Sequence, residues 1–347
     1  MYQTLKTKKI EWDSFSQEED DCALVVITSG FEDRAKNILT KLNLRKHNII
    51  VLIYYKSKVK ENNEAHRWFK DYLLDNNYTK KILEIPFSIT SARDFEREFS
   101  NKLRNITPKH GKTIYFDVSG LPMHGMCIVM KSLRDVFPYH GIKILYTTAE
   151  DYFPTKSEYE KIAKREVGNA IDLIPPSMST EMSDNLILDS FSGFRSKEIS
   201  TCLLVFAGYE VHRAEGAVDH VNPSKLVLVY GRPGDEKLKW RLEMSERSHR
   251  NLQKSRVTSI EQVSTLDIGE SIELIEEYYN MLFDDHNLVI APICSKMQTI
   301  ASYLLWEKYR DIQLVFPLPI KYLPSRFSKG IAISYEAYIP GAQERTT

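Results

Sequence analysis

Cysteine is scarce in this chain, and its placement is uninformative for cross-linking. Cys22, Cys127, Cys202 and Cys294 are the four among 347 residues, with no CxxC pair and each in or beside an apolar run. Neither a disulfide framework nor a zinc knuckle is indicated. They read as small buried apolar side chains, which fits a reducing, cytoplasmic compartment. No apolar stretch approaches the roughly 20 residues of a membrane span. The polar opening Met1–Lys9 lacks a signal-peptide core, so neither a membrane nor secretion is expected. An excess of one charge is also missing. Forty-seven basic residues balance 47 acidic ones, which removes the footprint of a chain whose main partner is nucleic acid, although a local basic patch remains compatible. The sequence has no GxxxxGK[ST] loop, no GxGxxG after a strand and no HExxH. Walker-type ATP hydrolysis, ordinary dinucleotide redox chemistry and a clean metal site are therefore unsupported, and no cofactor or metal is expected.

What is present is a pattern that occurs twice. Gly30-Phe31-Glu32-Asp33-Arg34-Ala35 follows the apolar run Ala23–Ile27, and Gly208-Tyr209-Glu210-Val211-His212-Arg213-Ala214 follows Leu203–Phe206. Thr113–Phe116 then runs into Asp117-Val118-Ser119-Gly120, as Leu288–Ile290 runs into Ala291-Pro292-Ile293-Cys294-Ser295-Lys296. A third pair closes each half: Ile142–Tyr146 precedes Tyr152-Phe153-Pro154, and Ile312–Phe316 precedes Tyr322-Leu323-Pro324, with ten residues from the leading Ile to the Tyr in both. This is the signature of a diverged internal duplication.

The expected fold is α/β, two tandem Rossmann-like domains, each a mostly parallel sheet with helices on both faces. Residues 1–172 form the first domain, 173–198 the linker around Ile174-Pro175-Pro176, 199–340 the second domain, and 341–347 a disordered tail. Strands are expected at Ala23–Thr28, Asn48–Tyr55, Lys81–Pro86, Lys112–Asp117 and Ile142–Thr147, with helices at Glu32–Leu42, Asn62–Asn76, Ser91–Arg104 and Met123–Phe137. The second half repeats the order with strands Thr201–Ala207, Lys225–Tyr230, Val263–Asp267, Leu288–Ala291 and Ile312–Pro317, and helices Ser245–Gln253, Ser271–Asp284 and Met297–Tyr309. A last strand, Ile331–Tyr338, forms an edge or swaps onto the other half. Two related nucleotide-type folds in one chain suggest one shared ligand cleft between the halves.

Function in such sheets lies at the carboxyl ends of the strands, where loops and helix N-termini meet anionic or polar ligands. Every repeated motif falls there. Gly30 and Gly208 permit a tight turn after the first strand. Glu32 and Glu210 suit a first helical turn as caps; an Arg at the positive end of a helix is disfavoured, so Arg34 and Arg213 need a bidentate partner. A phosphate or carboxylate ligand and a Glu–Arg bridge between the halves are equally good partners. Asp117, Ser119 and Gly120 supply a carboxylate, a hydroxyl and an open loop in the first half, Asp117 serving equally well as a cap. In the second half the offering is Ser295, Lys296 and Gln298. Lys296 is the best phosphate contact, against the plain alternative of a solvated lysine. Arg326-Phe327-Ser328-Lys329-Gly330 reads as a gating loop or a solvated connection. His124 lies near a helix start, while His212, Asp219-His220 and His249 rank low, scattered histidines being more often surface residues than catalysts.

The Ser295-Lys296 turn after the fourth strand resembles the Thr-Lys of the ligand loop in CARF domains, and Asp117-Val118-Ser119-Gly120 resembles a degenerate counterpart. Two such units in one chain resemble the SAVED arrangement of prokaryotic antiviral systems. The resemblance implies a nucleotide-type ligand-sensing or scaffolding subunit that works with a separately encoded effector. Two alternatives stand beside it. One is an enzyme cleaving a glycosidic or phosphodiester bond of a nucleotide or nucleoside, with Glu32 or Asp117 as acid/base and Arg34 or Lys296 on phosphate; the sensor is preferred to it. The other is an adaptor whose folds have lost ligand binding.

Overall fold

The computed structural model describes residues 5–15, 22–44, 49–56, 59–78, 82–89, 91–108, 111–165, 182–186, 188–193, 196, 198–319, 323 and 326–345. The chain divides into two compact units, Leu5–Tyr152 with Phe327–Thr347, and Phe153–Arg326. The first begins with β1 (Lys8–Lys9), α1 (Trp12–Phe15), β2 (Cys22–Ser29), α2 (Arg34–Lys41), β3 (Ile49–Tyr55) and α3 (Lys60–Asp75). It continues through β4 (Ile82–Phe87), α4 (Ala92–Arg104), β5 (Thr113–Asp117), α5 (Met123–Val136), β6 (Gly141–Thr147) and β7 (Asp151–Tyr152). The second unit holds α6 (Lys156–Arg165), β8 (Met182–Leu186), β9 (Ser200–Ala207), α7 (Val211–Val221), β10 (Lys225–Arg232), α8 (Trp240–Ser248) and α9 (Arg250–Arg256). It ends with β11 (Ser259–Ser264), α10 (Ile268–Leu282), β12 (His286–Pro292), α11 (Lys296–Lys308), β13 (Gln313–Leu314) and β14 (Phe316–Pro319), before β15 (Ser328–Lys329) and β16 (Ser334–Ile339) return to the first.

The first sheet runs β1-β16-β6-β5-β2-β3-β4, parallel from β6 to β4. Cys22–Ser29 is a continuous apolar and small-residue run buried along its whole length, as a central strand covered on both faces must be. Helix α4 shows the complementary pattern: Ala92, Phe95, Phe99 and Leu103 are its buried residues, spaced so that they share one face. The second sheet is wholly parallel in the order β11-β10-β9-β12-β13. Numbered by their own first five parallel strands, both sheets therefore have the order 3-2-1-4-5, with the crossover direction reversing between first and fourth strands. Helix α11 is buried from Met297 to Trp306 and serves as a central element rather than a surface one.

The structure departs from the sequence expectation in several places. The strand expected at Ile331–Tyr338 does swap onto the other half, pairing antiparallel with β6 as β16, and with it the units depart from the 199–340 boundary. The strand expected at Ile312–Pro317 is split. Gln313–Leu314 stays on β12, while Phe316–Pro319 turns away to pair with β8, Met182–Leu186, inside the expected linker. The rest of that linker is mostly outside the described residues, including its break at Ile174–Ser179, as are Tyr322, Pro324 and the last two residues of the tail. The expected disordered tail carries a 3₁₀ turn at Gln343–Arg345, with Tyr338 donating to Glu344 at 2.8 Å. The helix expected at Ser245–Gln253 is two helices meeting at His249. β11 lies at Ser259–Ser264 instead of Val263–Asp267, because the Asp267 side chain caps α10 by accepting from the Gly269 amide at 2.8 Å.

Candidate functional site

In the first unit the loops after β2 and β5 meet at the carboxyl edge. A side chain on Gly30 would lie 3.0 Å from the Gly120 Cα, and one on Gly120 2.9 Å from the Thr28 carbonyl oxygen, so two backbones approach here as only glycines allow. The Tyr55 hydroxyl donates to the Gly120 carbonyl at 2.7 Å. Asp117, 1% exposed, accepts from the Ser119 amide at 2.8 Å, and the buried Ser119 hydroxyl accepts from the Thr147 amide at 2.9 Å. Both side chains shape the loop. His124 is buried as well, its ring 5.5 Å from that of Phe87.

Residues 31–33 form a turn, and α2 starts at Arg34. The Arg34 guanidinium makes a two-pronged pair with Glu32, Nε and Nη2 each 3.0 Å from a carboxylate oxygen, and its Nη1 donates to the Tyr146 hydroxyl at 3.1 Å. The rings of Tyr146 and Tyr152 lie 5.7 and 5.6 Å from the guanidinium carbon. Burial works against the charge, but Glu32 and the two phenols outweigh it and hold Arg34 well above its ordinary value. Burial, with Tyr152 beside it, pushes the Tyr146 phenol up. Ser328 donates to Glu32, the Gly330 amide donates to Asp33 at 3.3 Å, and the Phe327 ring meets Phe31 edge-on at 5.1 Å. The first unit's edge is thus covered by its own segment 327–330, and Arg34 finds its partner within the unit.

The carboxyl edge of the second unit carries different chemistry. Gly208 stands where Gly30 does; a side chain there would lie 3.3 Å from the Ile293 carbonyl oxygen, and the Ile293 amide donates to the Phe206 carbonyl at 3.3 Å. Ser295 and Gln298 form a reciprocal capping box, Ser295 accepting from the Gln298 amide at 3.2 Å and Gln298 accepting from the Ser295 amide at 3.1 Å. Lys296 is the first residue of α11 and partly buried. Ala291 replaces the strand-end carboxylate of the first unit. Glu210 is buried, and Arg213 reaches it only at 3.7 Å while spending Nε and Nη2 on the Pro317 carbonyl at 3.4 and 3.3 Å.

Arg241 has no motif to announce it. Its guanidinium lies 5.7 Å from the Tyr209 ring and 5.1 Å from the Trp240 ring, and donates to the carbonyls of Pro154 and Phe153, each at 3.1 Å. The one available signal was a Trp-Arg pair soon after the carboxyl end of a strand. Burial pushes the Cys294 thiol up to about 11 even though Arg241, the Gly231 amide and Arg213 all favour the thiolate. Both arginines therefore act on the turn that precedes α11. Arg326 lies over the Phe153 ring at 5.5 Å. Buried His249 packs on Tyr230. Among the described residues no group of three or more His, Cys, Asp or Glu could hold a metal, and no helix is long and apolar enough to cross a membrane.

These features define a mixed α/β protein with Rossmann-like, mostly parallel sheets and a cationic carboxyl edge in its second unit. No protein-family profile matches the chain, and no curated relative matches it. Among solved structures it is similar to a type III CRISPR defence DNA nuclease activated by cyclic oligoadenylate, with a TM-score of 0.51 and 9% identity over 89% of this chain and 67% of that one. It also aligns with a protein assigned as a universal stress protein from Pseudomonas aeruginosa UCBPP-PA14, at a TM-score of 0.24 and 12% identity over 86% and 93% of the two chains. The first likeness shows the fold; the second carries no argument.

Proposed function

We propose that the chain is a nucleotide-type ligand-sensing subunit of a defence system, CARF-like in each of two duplicated units, acting with a separately encoded effector. Duplication is supported by the common strand order and by Gly30 and Gly208 at matching close approaches. The ligand edge is that of the second unit. The observation that carries this reading is the chemistry of Arg213 and Arg241: both spend guanidinium N–H groups on neutral backbone carbonyls and both act electrostatically on Cys294, two residues before Lys296, which opens α11 as a third cation. A phosphate is a stronger partner than a carbonyl for each of them. The fold likeness to a protein activated by cyclic oligoadenylate supports an anionic oligonucleotide as the ligand. The first unit's edge supports the structural reading of Arg34, since Glu32 and Tyr146 already take its donors. Glu32 and Asp117 are engaged in internal hydrogen bonds, which favours the sensor over acid/base catalysis.

Thermal unfolding against mononucleotides, cyclic di- and oligonucleotides, NAD and S-adenosylmethionine tests the reading. A ligand at 100 times its Kd adds about 2.7 kcal/mol, a rise of several degrees. Lys296→Ala and Arg213→Ala should each weaken binding roughly 10- to 100-fold, the worth of a charged hydrogen bond. A panel without any shift, or variants that bind like wild type, would remove the site.

A further inference from the structure

The chain enters the second unit at Phe153 and leaves it at Arg326. These two points are held together: the Arg326 guanidinium carbon lies 5.5 Å from the Phe153 ring. The same entrance is gripped from the ligand edge, because Arg241 donates Nη1 to the Pro154 carbonyl and Nη2 to the Phe153 carbonyl while its guanidinium lies over the ring of Tyr209, the residue after Gly208. Trp240, whose ring lies 5.1 Å from the same guanidinium, stacks on Tyr159 of α6 at 5.4 Å, and Arg247 donates to the Tyr159 hydroxyl at 3.3 Å. One side chain thus touches both the loop that shapes the carboxyl edge and the backbone by which the chain arrives.

We propose that Arg241 is a positioning residue that couples anion occupancy of the second unit's edge to the grip on Phe153–Pro154. This rests on the ligand reading above and adds how binding is signalled. A guanidinium can be forked end-on, through Nη1 and Nη2, or side-on, through Nε and one Nη; Arg241 spends its end-on fork on the two carbonyls, and a phosphate that takes that same fork displaces them. The exchange is favoured because the two acceptors given up are neutral and the incoming one is charged. An anion at the edge therefore draws Arg241 off the entrance and loosens the start of α6 and the Arg326–Phe153 stack. The ligand's differential affinity for the released state is what shifts the population.

Hydrogen–deuterium exchange of the full chain tests this, read at the amides of Thr155, Glu158 and Tyr159, which are bonded at the start of α6, and at Arg326. Arg241→Ala should speed exchange at these amides at least threefold without altering β9 and β12. Cyclic oligoadenylate and inorganic pyrophosphate are the probes, and a binding probe should produce the same change in wild type. Arg241→Lys keeps the charge but loses the planar fork that fits the two carbonyls; it should bind the probe more weakly than wild type and exchange fast both empty and saturated, whereas in wild type it is the probe that makes the difference. Unchanged exchange in Arg241→Ala overturns the coupling. So does probe binding that leaves wild-type exchange unchanged, while the ligand site itself stands. Failure of every anion to bind sinks both the site and the coupling.

Discussion

Replacing Arg34 should cost far more stability than the loss of a solvated ion pair. The side chains of Arg34 and Glu32 are 8% and 11% exposed, and three guanidinium nitrogens have partners at 3.0–3.1 Å. Pairs in water contribute about 0–1 kcal/mol. Removing one partner of a buried pair costs about 3–5 kcal/mol, because the other charge is left without compensation. Arg34→Ala leaves Glu32 in that state, with Ser328 as a hydroxyl donor to it. For a unit of this size, 1 kcal/mol moves Tm by about 2–4 °C, so the variant should melt on the order of 6–20 °C lower. Glu32→Gln/Arg34→Met removes both charges and should recover at least half of the loss, a coupling that a double-mutant cycle by calorimetry would measure. A fall below about 1 °C in Arg34→Ala, or a double variant no more stable than the single, would refute the assignment of this pair as a buried structural clamp.

Two further tests address the cores of the units. His249 is buried, and desolvation lowers its pKa from 6.5 to about 4 although the Ser245 carbonyl favours the charged form. Its folded value is depressed, so the unfolded chain binds the extra proton between these limits. The stabilisation is complete above pH 6.5 and is lost as pH falls toward 4, by about 3 kcal/mol; His249→Gln should flatten that part of the Tm–pH curve, and an unchanged slope would reject it. Gly120→Ala puts a methyl group 2.9 Å from the Thr28 carbonyl oxygen and should cost about 1–3 kcal/mol, whereas Gly208→Ala, at 3.3 Å from the Ile293 oxygen, should cost less. Urea midpoints that rank these two variants the other way would contradict the close approach of the first unit's loops.

The parallel strands were legible because both-sided burial forces uninterrupted apolar runs such as residues 22–27 and 202–207. Repeated glycines marked the strand ends for a local steric reason that a sequence carries openly. Arg34 was legible as a residue needing a bidentate partner; that the partner sits two positions away depends on the turn at 31–33, which propensity does not specify. Arg241 was invisible because its role comes from Phe153 and Pro154, nearly 90 positions earlier in the chain. The split of Ile312–Pro317 was hidden for a similar reason. Phe316 has the same apolar character whether it continues on β12 or turns to Leu186, and only the presence of β8 decides.

The return of β16 to β6 has a consequence for how the protein is made. β6 pairs with Ser334–Ile339 along its length, and β1 pairs with β16. When residues 5–152 leave the ribosome, the β6 flank of that sheet is a bare ladder of donors and acceptors, and it remains so while the whole second unit is synthesised. Synthesis at 5–20 residues per second makes that wait on the order of 10–40 seconds. During it the exposed strand is a template for any extended segment nearby, including the same strand on a neighbouring nascent chain. Of the two units, the one translated earlier is completed later, by a strand that lies beyond the whole of the other.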